Sequence, residues 1–183
     1  MRKLIIISVF ALLSTTLFAQ KFITKNGHIR FYSETPMETI EADNKQVNAA
    51  YDHESGMMVF KVLMKSFEFE KALMQEHFNE NYVESDEYPN ATFKGNVVNN
   101  TDIELGKLGE LSVKVKGTLT IHGVSKEVEA DGSMDIQKDG IHAIAKFMIK
   151  PADFDIKIPG AVVKNIAEEI EVSIDVDLKK LSK

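Results

Sequence analysis

Five histidines (His28, His53, His77, His122 and His142) and 28 acidic residues could carry acid–base, nucleophilic or metal chemistry in this 183-residue chain. Nucleophilic catalysis on a histidine needs a serine or cysteine partner and a carboxylate that orients the ring. The chain has no cysteine. The serine nearest His122, in "HGVSK", lacks the Gly-x-Ser-x-Gly elbow that would expose it on a sharp turn. Zinc asks for three or more closely placed ligands, whereas these histidines stand singly, with no His-x-His or His-Glu-x-x-His spacing. A cross-strand meeting of His122 with His142 is the one metal pair the pattern leaves open. His122 itself precedes Gly123 at a chain reversal, so the expectation is a turn residue hydrogen-bonded across its own turn. A glycosidase would need two carboxylates facing each other across a cleft. In "EVSIDVDL" the carboxylates share the polar side of an alternating segment, which is the pattern of a solvated face. No catalytic residue, metal ligand or cofactor is assigned.

The elements that position these residues are mostly strands. In "EEIEVSIDVDLKK", Ile170, Val172, Ile174, Val176 and Leu178 alternate with Glu171, Ser173, Asp175, Asp177 and Lys179. A period of two gives one dry and one wet face. "GELSVKVKGTLTIHG" repeats the pattern, with Gly117 on the apolar side as a bend or a close backbone approach. "EVEADGSMDI" returns in register, and Asp139-Gly140 marks a further hairpin. "MMVFKVLM" is apolar on both faces except at Lys61, which predicts a strand covered on its outside as well. "KALMQEHFNENYV" differs: Met74, Phe78 and Tyr82 are spaced by four, which lines one side of a short helix. Many strands, turn residues between them and one helix indicate an all-β antiparallel sheet, a barrel or a sandwich. Closure into a barrel removes exposed edges.

The N-terminal "MRKLIIISVFALLSTTLFAQ" has two basic residues, an apolar run from Leu4 to Leu13 and a small residue at Ala19. This is the layout of a signal peptide over residues 1–19, and the run is short for a span of roughly 30 Å of hydrocarbon. The expectation is a single mature domain, 20–183, in the periplasm or secreted, with no stable membrane insertion. Without Arg2 and Lys3, 20 basic residues face 28 acidic ones, a net charge near −8. That balance repels phosphate backbones and argues against a nucleic-acid partner.

At "DEYPNATFKG", "VKGTLTIHGVSKEV" and "IKPADFDIKIPG" the chain resembles the YceI-like family of secreted lipocalin-like proteins. Tyr88, Pro89 and Phe93 match a Tyr-Pro-x-x-x-Phe strand after a short helix. Gly117, Leu119, Thr120, His122, Gly123, Val124, Ser125 and Lys126 match a hairpin motif in which serine replaces threonine. Asp153, Phe154 and Asp155 stand where the pattern has Asp-Phe-Gly, and "KSFEFEKALMQEHFNENY" lacks the arginine expected ahead of the helix. Both departures fall where a barrel mouth would sit. The resemblance implies an eight-stranded antiparallel barrel with one short helix around an elongated apolar cavity, holding an isoprenoid or other amphiphilic lipid. Candidate lining residues are Phe60, Leu73, Met74, Phe78, Phe93, Leu119, Ile121, Phe147, Ile149, Phe154, Val172 and Ile174. A solid core would show the same alternation, because an eight-stranded barrel is just wide enough to fill with side chains or to hold one small ligand. The alternatives are a packed structural or interaction module, or a lipid-modifying enzyme using His77. A homodimer is compatible with the sequence.

Overall fold

A computed structural model describes residues 20–181. The segment read as a signal peptide, 1–19, lies outside the described residues. Nine strands follow in order: β1 (Lys21–Glu34), β2 (Thr39–Asp52), β3 (Met57–Leu63), β4 (Glu68–Phe69), β5 (Asn90–Val97), β6 (Gly109–Ile121), β7 (Val124–Ile136), β8 (Gly140–Ile149) and β9 (Ile170–Lys180). Every pairing is antiparallel. The order β1-β9-β8-β7-β6-β5-β3-β2 returns to β1 through a β1–β2 ladder, so eight strands close a barrel. Closure leaves each of these strands paired on both sides over part of its length; β7 meets β8 only from Asp131 to Ile136.

β4 is an addition to this ring. β2 pairs with β3 only from Asn48 (opposite Lys61) to Asp52, and its earlier residues Ala42 and Asp43 pair with β4 instead. Where the two strands part, the buried Asn44 donates from Nδ2 to the Leu63 carbonyl at 2.9 Å and accepts from the Gln46 amide at 2.9 Å. This side chain satisfies the backbone groups that the ladder leaves there.

Alternating connections send the chain to opposite ends of the barrel. The upper end carries the β1–β2 turn, the β3–β5 connection with helix α1 (Ala72–His77), the His122-Gly123 turn and the long β8–β9 connection. α1 passes directly into a π-helical turn, Phe78–Tyr82. The extra residue in that turn directs Phe78, Tyr82 and Val83 all toward the barrel interior. The lower end is packed solid: Phe22 stacks on Tyr51 with ring centroids 6.2 Å apart, beside the buried Val47, Ile136, Ile141 and Leu178. The Tyr51 hydroxyl donates to Asn100 Oδ1 at 2.5 Å, so this deep phenol is not orphaned.

One expectation needs correction. The outer face of β3 is not covered, for Met57 and Leu63 are exposed and Lys61 stands between them. The helix packs against β4 at the upper end. Gly117, on the apolar side of β6, marks a close approach: a Cβ there would lie 2.3 Å from the Cα of Gly95, its partner on β5.

Candidate ligand cavity

The inward side chains above the packed lower end leave a cavity of about 220 Å³. Its wall is built in rows of register partners. Phe60 on β3 faces Phe93 on β5, with rings 6.3 Å apart, and Phe93 faces Leu119 on β6. Phe147 on β8 pairs with Val172 on β9, which pairs with Phe31 on β1. Ile174 pairs with Ala145 and Ile29, and Ile149 and Ile121 lie near the upper rim. Met74 and Phe78 enter from the helix. Ten of the twelve candidate residues therefore share this one space.

The other two do not reach it. Leu73 is 61% exposed, because the spacing that turns Met74 and Phe78 inward turns its neighbour outward. Phe154 is only 2% exposed, but it is buried under the 3-10 turn Pro151–Phe154 and does not line the cavity. The lining runs from Ile121, Ile149 and Ile158 down to Met58, Met134 and Val176, and the packed Ile136, Ile141 and Leu178 lie below it.

Sequence reasoning missed an aromatic cluster. Phe78 lies 5.6 Å from Phe31, 5.6 Å from Phe67 and 5.0 Å from Phe69, and all four rings line the cavity. The signal was present in "SFEFE", where Phe67 and Phe69 alternate with glutamates. It was missed because β4 is too short to read as a strand. Ile156, Ile158 and Ile166, from the β8–β9 connection, complete the upper wall. Ile156 and Ile158 flank Lys157 with the same period of two, although they belong to no strand.

Among the described residues no aspartate, glutamate, lysine, arginine or histidine lines the cavity. Its lining residues that bear polar groups are Ser33, Tyr82, Thr92 and Ser133, and the last two alternate with the inward Phe93 and Met134 on their strands. Ser33 Oγ already accepts from the Ala167 amide at 2.9 Å, and burial pushes the Tyr82 phenol above its ordinary range. Such a lining can exclude water and hold an apolar chain, but it offers few partners for a polar guest. His77 is exposed on the helix and lies outside the lining.

His122 sits in the expected turn, but its ring does not hydrogen-bond across it. It and Gly123 both have positive φ, 51° and 74°, as a two-residue hairpin turn of this hand requires. The ring leaves that turn: Nε2 lies 2.7 Å from Glu84 Oε2 and Nδ1 lies 3.1 Å from the Phe154 carbonyl oxygen. Tyr88 packs its ring 4.6 Å away. The hairpin, the segment after the helix and the β8–β9 connection are thereby tied together over the upper end. Glu84, His122 and Asp155 are the described non-glycine residues with positive φ. Two of them bond each other, and the third directly follows Phe154. Asp155, at φ 54°, takes a backbone conformation that favours glycine. His142 is elsewhere, 3.0 Å from Asp177 on the outer wall, so no His122–His142 pair forms. Among the described residues no group of three or more histidines and carboxylates is placed to hold a metal.

The profile of the YceI-like domain matches residues 19–178. The chain belongs to the YceI-like family. No curated protein matches it significantly. Among solved structures it is similar to a polyisoprenoid binding domain from Saccharophagus degradans, at 15% identity and TM-score 0.75 over 89% of this chain and 99% of that one. It is also similar to Burkholderia cenocepacia BcnA, at 16% identity and TM-score 0.67 over 83% of this chain and 94% of that one. The Campylobacter jejuni YCEI protein shares 20% identity and TM-score 0.57 over 76% and 84%. At these identities the likeness establishes the barrel that this YceI-like chain shares with them.

Proposed function

We propose that this YceI-like protein binds an isoprenoid or other amphiphilic lipid in its upper cavity. It would act as a carrier outside the cytoplasm after cleavage near Ala19, and perform no covalent chemistry. The observation that carries this reading is a cavity of about 220 Å³ with no charged side chain in its lining. The polyisoprenoid binding domain from Saccharophagus degradans, built on the same barrel, supports it.

Burial of a methylene contributes about 0.8 kcal/mol, so a five-carbon isoprene unit contributes roughly 4 kcal/mol. Association costs at least ~4 kcal/mol in lost freedom. Three buried units would leave about 8 kcal/mol, a micromolar dissociation constant. Affinity then follows the length of chain buried, because so few polar contacts are on offer.

The test is organic extraction of the purified protein followed by mass spectrometry, with displacement of an apolar fluorescent probe as a second readout. A co-purifying lipid that displaces the probe supports the carrier. A protein that yields no lipid and excludes the probe defeats it. His77→Ala should leave binding unchanged, and a lipid product that disappears with this variant would favour the enzyme instead.

A further inference from the structure

We propose that Met134 is the specificity-determining floor of the cavity, setting the longest chain the protein can bury; this rests on the lipid-binding reading above. The argument comes from side-chain volume along β7 and β8. Above the floor this wall is thin: Ala130 and Ala145 line the cavity, and Gly132, which pairs with Ala145, adds no side chain. Met134 is 1% exposed and still lines the cavity. One inward step further down, Ile136 pairs with Ile141 and Ile141 with Leu178; all three are fully buried and none reaches the cavity. In the row Leu111–Met134–Ala143–Val176, Met134 is the one long side chain that lines the cavity. It stands where the small-residue wall ends and the solid plug begins. A guest chain descending past Ala130 and Ala145 meets its thioether first. Methionine is unbranched and adaptable, so it closes the space without fixing a rigid wall.

The experiment measures binding of a homologous series of straight-chain primary alcohols, by displacement of an apolar fluorescent probe from the purified protein. For the wild type, affinity should rise about fourfold per added carbon until a limiting length, then stop rising. Met134→Ala should move that limit longer by roughly two to three carbons, the length of the atoms removed, with the slope below it unchanged. Ile136→Val, one step below the floor, should leave the limit where it was. If the alanine variant fails to fold, Met134→Leu gives the same readout with a shift of about one carbon. A limit that stays fixed in the Met134 variants while the alcohols still bind overturns the proposal. So does an equal shift in Ile136→Val, which would mean general loosening. If no alcohol of any length displaces the probe from the wild type, the lipid-binding reading itself has failed, and the floor with it.

Discussion

Replacing His122 should loosen the upper end of the barrel and leave the lower end intact. The ring makes two bonds, 2.7 Å to Glu84 and 3.1 Å to the Phe154 carbonyl, and packs against Tyr88. Its side chain is only 12% exposed, but that of Glu84 is 51% exposed, so this ion pair is discounted to at most ~0.5 kcal/mol. The bond to the carbonyl contributes about 1 kcal/mol and the ring contact roughly 0.5 kcal/mol. His122→Asn, which tolerates φ 51°, should therefore cost about 2 kcal/mol. His122→Ala adds about 1 kcal/mol of backbone strain. For a domain of this size each kcal/mol lowers Tm by roughly 2–4 °C, so the asparagine variant should melt about 4–8 °C below wild type and the alanine variant lower still. Hydrogen exchange then locates the effect. The amides of Ser85, bonded to Asn79 O at 2.8 Å, and Ile156, bonded to Pro151 O at 3.1 Å, should exchange faster, while that of Ile141 on the lower plug should not. A His122→Asn protein with wild-type Tm, or with exchange raised uniformly, would refute the latch.

Three further outcomes follow from the same geometry. Glu38 accepts from Lys71 Nζ at 2.7 Å and Asn165 Nδ2 at 3.0 Å, and these bonds, Lys71 first, hold its carboxyl below the usual glutamate range. Its contribution is present above that range and is lost as pH falls through the lowered value; NMR of the Asn165 side-chain amide should show this acid transition, and Glu38→Gln should lack it. An unchanged profile in that variant would dismiss Glu38 as the titrating group. Burial, then the nearby Asp52 charge, pushes the Tyr51 phenol well above the usual tyrosine range. The neutral form is the folded one, so stability should fall as pH rises past ~10, with the last of the four tyrosines ionising only on unfolding. Ultraviolet titration showing all four ionised in an intact barrel would contradict this. Gly117→Ala should cost about 3 kcal/mol, because its Cβ would meet backbone on β5 rather than a flexible side chain, and a melting temperature near wild type would disprove the close approach.

The strands were legible because one face is wet: the alternation in Ile170 to Leu178 reports burial directly. The closure of the ring was not, since β1–β2 and β1–β9 pairing is a property of the whole sheet and leaves no local mark in sequence. For the same reason "MMVFKVLM" misled. Its outer apolar residues suggested a cover, yet Met57 and Leu63 are left exposed. Met74 and Phe78 were found through helical spacing. Phe154 was misplaced because burial and cavity lining are different properties, and a pattern of apolar residues measures only the first. Ile156, Ile158 and Ile166 lie in an irregular connection, where neither the strand nor the helix period applies. His122 showed its turn in sequence but not its partners, which lie 38 and 32 residues away.

Whether such a barrel is hollow depends on residue volume, not on strand pattern. The ladders β6–β7, β7–β8 and β8–β9 run unbroken from the cavity into the plug. Only the side chains change, from Ala130, Gly132 and Ala145 above to Ile136, Ile141 and Leu178 below. At ~24 cal/mol per Å³, an empty space of about 220 Å³ costs roughly 5 kcal/mol relative to a filled one. That is a large share of the 5–15 kcal/mol that ordinarily separates folded from unfolded protein. Larger residues at the alanine positions would lessen that cost, as the isoleucines do one step further down. On the lipid-binding proposal, a sequence that keeps them small leaves the contacts of its core to be completed by a guest. The free energy of binding and the stability gained on binding are then linked by mass action, since the unfolded chain has no cavity to offer. On the lipid-binding reading, the part of the barrel that looks under-packed is the part whose packing the ligand supplies.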